Sequence, residues 1–244
     1  QKNYRVVFIG KPGGGKTTAI CNWLNLIHIE QKSEPKKSYD LLSTGSGKTT
    51  VAEVHIKQVD GKSRIRLELL PIEEQEKFIR DFCGYCYYGY NPKASNAAMY
   101  GSGTISTEIL SAVCNMAGMT LPDFSDELKR EQFNKRYSSS AALFERVSKI
   151  INLEKRTCNE ILHEGDDFDK WLSETFNNVN FGKHPECSIP KTIYVAVGRD
   201  DKVLNLPDYV DEVIDTLGLD TDKAGRPDLV QFMQAPDTLC LMVD

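Results

Sequence analysis

Two short stretches of this chain combine residue types suited to a polyanion and a hard cation. Gly10-Lys11-Pro12-Gly13-Gly14-Gly15-Lys16-Thr17 fits the pattern G-x-x-x-x-G-K-[ST] throughout, and Thr18 continues it. Glycines allow left-handed backbone and let N–H groups approach phosphate oxygens closely, so the loop predicts an anion-binding concavity at a helix N-terminus. Lys16 adds a point charge for the outer phosphates, and the Thr17 hydroxyl is a ligand suited to Mg²⁺, which takes few protein oxygens and keeps its waters. Far along the chain, Asp215-Thr216-Leu217-Gly218 follows an apolar run. An Asp at the carboxyl end of a strand can hold Mg²⁺ through a water, and Gly218 can bring its N–H to a phosphate without a side chain in the way.

Such groups need a strand, a turn and a helix behind them, and the flanks supply the pattern. Tyr4-Arg5-Val6-Val7-Phe8-Ile9 reads as a buried strand. From Thr17 to Ile27, Ile20, Trp23, Leu24 and Ile27 recur at helical spacing and predict a buried stripe. Residues 30–38 are polar and Pro-broken, which predicts a surface loop. Ser43-Thr44-Gly45-Ser46-Gly47-Lys48-Thr49-Thr50 repeats the end of the first motif, but Leu42 replaces its opening glycine and Val51–Lys57 alternates as a strand. A second anion cradle would need a helix there, so Thr49 and Thr50 are instead candidates for a loop that closes on the site.

Val51–Gln58 and Ser63–Leu70, joined through Asp60-Gly61, predict a β-hairpin. A long helical section then follows. Helices are expected from Glu73, over 105–118, and near Ser125–Arg136, Ser139–Ile151 and Asp166–Asn178. Tyr85-Cys86-Tyr87-Tyr88-Gly89-Tyr90-Asn91-Pro92 reads as aromatic and turn-rich, a packing element of the helical module or a partner surface. Cys83 and Cys86, with Cys158, His163, His184 and Cys187, offer metal-ligand types at irregular spacing, for which buried thiols are the plainer reading. Arg136, Arg146 and Arg156 stand ten apart, where one could serve as a charge donor to a phosphate or simply face water. Strand character resumes at Pro190–Val197 and Tyr209–Asp215, followed by a polar stretch over 220–226, a short helix from Pro227 and a buried strand over 238–244.

These motifs resemble the GTPase-like branch of the P-loop NTPases, which includes translation-factor, septin and dynamin relatives. The resemblance covers residues 1–60 and about 190–244. It implies a three-layer α/β sandwich, mostly parallel with one antiparallel hairpin, formed by residues 1–70 and 189–244 and carrying a mainly helical insertion over 71–188. It also implies roles: Gly10, Pro12, Gly13, Gly14, Gly15, Lys16, Thr17 and Thr18 around the nucleotide, Thr17 and Asp215 on Mg²⁺, and Thr49 or Thr50 as the switch Thr. Lys16, Asp215 and Gly218 then form the catalytic set for Mg-dependent triphosphate hydrolysis. No [NT]-K-x-D motif for guanine occurs up to Asp244, so GTP and ATP both remain open. Other readings are an ATPase subunit of a larger complex of bacterial defence or signalling type, and a nucleotide-gated scaffold with negligible hydrolysis.

Composition bounds these readings. The 244 residues, 40% hydrophobic, can bury a large core. A net charge of -5 gives no global field for nucleic acid, so nucleic acid is not indicated as a partner; a protein partner or self-assembly through the insertion is expected instead. No apolar run approaches bilayer-spanning length and seven cysteines are scattered, so reduced thiols and a cytoplasmic location are expected. Both ends read as cut close to core strands, which leaves the sheet open to completion by further segments.

Overall fold

The computed structural model describes residues 3–30, 37–42, 51–91, 105–218 and 227–243. The chain divides into two compact units. The first, Gln1–Leu69, Asn159–Asn180 and Pro190–Asp244, holds a mixed seven-stranded sheet; the second, Leu70–Cys158 and Phe181–Ile189, is helical.

The strands of unit 1 are β1 Tyr4–Gly10, β2 Ile27–Glu30, β3 Lys37–Asp40, β4 Glu53–Val59, β5 Arg64–Leu69, β6 Glu160–Leu162, β7 Pro190–Gly198, β8 Val210–Asp215 and β9 Thr238–Val243. Its helices are α1 Lys16–Leu24, α6 Phe168–Asn180 and α7 Pro227–Gln234. The main sheet runs β6-β5-β7-β4-β8-β1-β9, and β2 pairs with β3 in a separate antiparallel ribbon. β1 is parallel to β8 and β9, and β4 is parallel to β7. The β4–β8, β5–β7 and β5–β6 pairings are antiparallel, so the sheet is evenly mixed, not mostly parallel. Successive strand residues face opposite sides. Phe8 meets Trp23 of α1 at 6.0 Å between rings, while Val7 and Ile9 pack with Leu229 of α7, so helices cover both faces.

The expected β4–β5 hairpin is not formed, because β7 lies between the two strands. Ile193, Val195, Ala196 and Val197 are all buried, the pattern of a strand covered on both faces, and its two edges pair with β4 and β5. The Asp60–Lys62 connection therefore spans the end of β7. Gly61 turns there at φ 85°, the Ser63 Oγ accepts from the Gly198 N–H at 2.7 Å, and a Cβ on Gly198 would collide with the Gly61 carbonyl.

Three more expectations are corrected. α1 stops at Leu24, because Asn25 takes the left-handed conformation at φ 58° and its N–H caps Asn22 O; Ile27 starts β2 instead of ending a helical stripe. Residues 37–38, assigned to a loop, lie in β3. Residues 159–180, assigned to the helical insertion, belong to unit 1: β6 adds to the sheet edge against β5, and Asn180 Oδ1 accepts from Val51 N at 3.0 Å.

Unit 2 contains α2 Ile72–Tyr90, α3 Thr107–Met116, α4 Glu127–Arg136 and α5 Ser140–Ile151. Ser106, Asp126 and Ser139 cap α3, α4 and α5 by accepting from the Ile109, Lys129 and Ala142 amides. Their core joins Ile79, Phe82, Val113, Leu143 and Val147. Residues 85–90 of the stretch read as turn-rich are the last turns of α2: with Glu73 and Glu74 in its first turn and no Pro between 72 and 91, the helix runs on to Tyr90. Its aromatics pack internally, Tyr85 and Tyr90 on Phe124 at 5.2 and 5.0 Å and Tyr90 on Phe133 at 4.6 Å.

Candidate functional site

β1 occupies the position where the sheet's connections diverge. It has β8 on one side and β9 on the other; α1 leaves it toward one face, and α7 joins β8 to β9 over the other. In open α/β sheets such a switch point leaves a crevice at the strands' carboxyl ends. The two sequence motifs form its walls.

The loop after β1 takes the left-handed conformation at Gly13 (φ 73°) and Gly15 (φ 83°), which side chains would strain, and the Gly14 N–H closes the turn on Lys11 O at 3.1 Å. Gly15 caps α1 with no side-chain acceptor, and the first turn holds no acidic residue. The first intrahelical bond runs from Ala19 N to Gly15 O, so the amides of Lys16, Thr17 and Thr18 form the positive end of the helix. Lys16 is a cation in that first turn, a placement the helix dipole opposes, yet it is only 6% exposed. Its ammonium donates to the Gly10 and Lys11 carbonyls at 3.2 and 3.0 Å.

Opposite this loop, the carboxyl end of β8 delivers Asp215, 1% exposed. The Thr17 hydroxyl donates to Asp215 Oδ2 at 2.5 Å across 198 residues of sequence. Burial pushes the Asp215 carboxyl up to about 6; the Thr17 hydrogen bond and the Lys16 charge oppose that shift, and Glu53 reinforces it. Asp215 Oδ1 is buried and has no hydrogen-bond partner. Register is held by Phe8 opposite Asp215, and the Thr216 hydroxyl donates to Phe8 O at 2.7 Å. Gly218 then lies against Pro12, close enough that any Cβ would strike the proline ring and nitrogen. Gly10 is likewise obligatory, since a Cβ there would fall on the Val243 carbonyl oxygen of β9.

The expected set of Gly10, Pro12, Gly13–Gly15, Lys16, Thr17, Asp215 and Gly218 is thus gathered at one crevice, with Thr18 exposed at its rim. Thr49 and Thr50 lie outside the described residues. An orphaned carboxylate oxygen beside a threonine hydroxyl is a donor set that fits a hard, oxygen-liganded cation such as Mg²⁺. No protein-family model matches the chain, and no curated protein is significantly similar to it in sequence.

Sequence reasoning missed one cluster beside this site. His55 of β4 lies between Glu53, at 2.7 Å, and Glu212 of β8, at 3.0 Å, with the Tyr194 ring of β7 at 5.0 Å. Burial depresses the imidazolium, but the two carboxylates outweigh it and raise the pKa to about 9. His55 therefore carries charge at neutral pH and ties β4 to β8 one residue from the Val54–Asp215 pair. The alternation of Glu53, His55 and Lys57 was visible, but its partner strand was not.

The metal-ligand and arginine possibilities resolve differently. Among the described residues no group of three or more His, Cys, Asp and Glu side chains could hold a metal. Cys83 and Cys86 are buried in the core of unit 2, and burial pushes the Cys83 thiol up to about 12. His163 pairs with Asp201 at 2.9 Å in unit 1. Arg156 is a structural tie within unit 2. Its guanidinium donates to the carbonyls of Ile151, His184, Cys187 and Met116 at 2.7 to 3.3 Å.

Proposed function

We propose that unit 1 binds a nucleoside triphosphate at Gly10–Thr18 and hydrolyses it with Mg²⁺, as a P-loop NTPase of GTPase-like type. The observation that carries this reading is the buried Lys16 ammonium in an uncapped helix N-terminus, set beside the Thr17–Asp215 pair. An anion in the loop would favour both placements: it would accept from the loop amides and add a charged acceptor for Lys16 beside the Gly10 and Lys11 carbonyls.

Thr17 and Asp215 would hold the cation, which when bound neutralises charge developing on the phosphate oxygens. The chain's own contribution is positioning. The Gly13–Thr18 amides fix the β-phosphate, Lys16 bridges toward the γ-phosphate, and the Gly218 N–H meets the γ-phosphate once its contact with Pro12 opens. The residues beside Gly218 do not supply a base. Leu217 is apolar, so turnover is expected to be slow until a partner or self-assembly orders the attacking water.

The test compares fluorescent GTP and ATP analogues, with and without EDTA, on the wild type and Lys16→Ala, followed by phosphate release. The wild type should bind one base preferentially and require Mg²⁺. The variant should lose roughly 10- to 100-fold in affinity, the worth of a charge-assisted hydrogen bond. Equal affinity in both proteins would refute the assignment, and tight binding without phosphate release would reduce it to a nucleotide-gated scaffold.

A further inference from the structure

Among the described residues, unit 2 carries two clefts beside α4 and α5. A cleft of about 430 Å³ is floored by Cys86, Tyr90, Met119, Phe133 and Tyr137 and rimmed by Lys129 and Arg136. A second, of about 530 Å³, shares Arg136 and Tyr137 with it and continues along the outer face of α5 past Arg146, Lys149 and Ile150. The two flank Arg136 and Tyr137 at the end of α4, one with the apolar floor and the other with the cations of α5. α5 spends its opposite stripe, Leu143, Val147 and Ile151, on the core, leaving Ile150 49% exposed among the cations.

The local charge runs against the chain as a whole. Among the described residues, Lys129, Arg136, Arg146 and Lys149 line the two clefts with Glu145 as the one carboxylate in their lining, in a protein of net charge -5. Lys129 is paired with Asp126 at 3.3 Å and Asp123 at 3.9 Å, which leaves Arg136, Arg146 and Lys149 as the main cations, and Arg136 lies over the Tyr137 ring at 5.6 Å. Arg146 and Lys149, three apart on one helix, present their charges one turn apart, the spacing at which carboxylates three or four residues apart on a second helix project.

We infer that this surface docks an acidic amphipathic helix of a partner protein, which seats a large apolar side chain in the Tyr90–Phe133 cleft and aims carboxylates at Arg146 and Lys149. Charge complementarity selects acid over base, and the apolar floor selects peptide over nucleic acid, whose phosphates would engage the cations and leave the cleft empty. The inference does not depend on the nucleotide reading, because every residue named here lies in unit 2.

The experiment measures anisotropy of a fluorescein-labelled 18-residue helical peptide with Glu at i, i+4 spacing and a central Leu-Phe pair, using the full chain. Controls are the same peptide with Lys for Glu, one with Ala for Leu-Phe, and a 20-nucleotide oligo(dT). The acidic amphipathic peptide should bind best, and more weakly as salt rises. Arg146→Glu with Lys149→Glu should weaken it roughly tenfold, two exposed pairs being lost and reversed. Leu121→Glu, at the cleft mouth and 50% exposed, should weaken it independently, and both variants should keep the wild-type circular dichroism spectrum. Equal binding of the acidic and basic peptides, no effect of either variant, or oligo(dT) binding above the peptide would each overturn the inference.

Discussion

Replacing His55 tests whether the β4–β8 junction beside the candidate site is held by charge. The wild-type imidazolium is raised from 6.5 to about 9 by Glu212 and Glu53 against the opposing effect of burial, and its side chain is 13% exposed. A His whose folded pKa is raised binds its proton more tightly in the native state, so the stabilisation is full below pH 6.5 and is lost as pH rises through 9. With about 1.4 kcal/mol per pKa unit, the linkage amounts to about 3 kcal/mol at pH 6, a little less at pH 7 and well under 1 at pH 9. His55→Gln removes the charge and leaves Glu53 and Glu212 facing each other across two strands. It should therefore cost about 2 kcal/mol at pH 7, read as a shift in the urea midpoint at unchanged slope, and almost nothing at pH 9.5. With four histidines in the chain, NMR of the ring protons should show one resonance titrating near 9 that disappears in the variant. A gap between the two proteins that stays constant from pH 6 to 9.5, or a His55 resonance titrating below 7, would refute the reasoning.

Three further outcomes are expected. Arg156→Met strips the hydrogen bonds from four backbone carbonyls of unit 2, and it should cost about 3 kcal/mol, a drop of roughly 6 to 12 °C in melting temperature; Arg156→Lys should recover less than half. Gly10→Ala places a methyl on the Val243 carbonyl and must part β1 from β9, so thermal unfolding should show a loss of about 1 to 3 kcal/mol even with no nucleotide present. Burial pushes the Cys83 thiol to about 12 and Cys86 higher still, so in the native protein at pH 8 a disulfide reagent should modify the half-exposed Cys240 well before either, as peptide mass spectrometry will show.

What could be read from the sequence was whatever depends on neighbours along the chain. The Gly10–Thr17 loop, α1, the capped helices of unit 2 and β8 ending at Asp215 all announce themselves through glycine, cap and period. Even the Thr17–Asp215 contact, 198 residues apart, was accessible, because each partner sits in a local pattern with its own chemical meaning. The loop at Thr49 and Thr50 falls outside the described residues and adds nothing either way.

The errors in the main sheet share a cause in strand order. Asp60-Gly61 is a strong hairpin signal, and turn chemistry alone made β4 and β5 partners. The deciding information lay about 130 residues on, where the Ile193–Val197 run forms a strand covered on both faces that pairs with β4 at one edge and β5 at the other. Once β7 is placed there, two other missed features follow. β5 loses β4 as a partner and its free edge accepts the three residues of β6, which draws 159–180 into unit 1. β4, with β7 on one side, turns its other edge to β8, and that antiparallel junction sets His55 between Glu53 and Glu212. The His55 cluster was thus illegible for the same physical reason that the hairpin was misread: both depend on pairings between strands far apart in sequence, and the 60–62 connection can cross the end of β7 because Gly198 leaves room there for the Gly61 carbonyl.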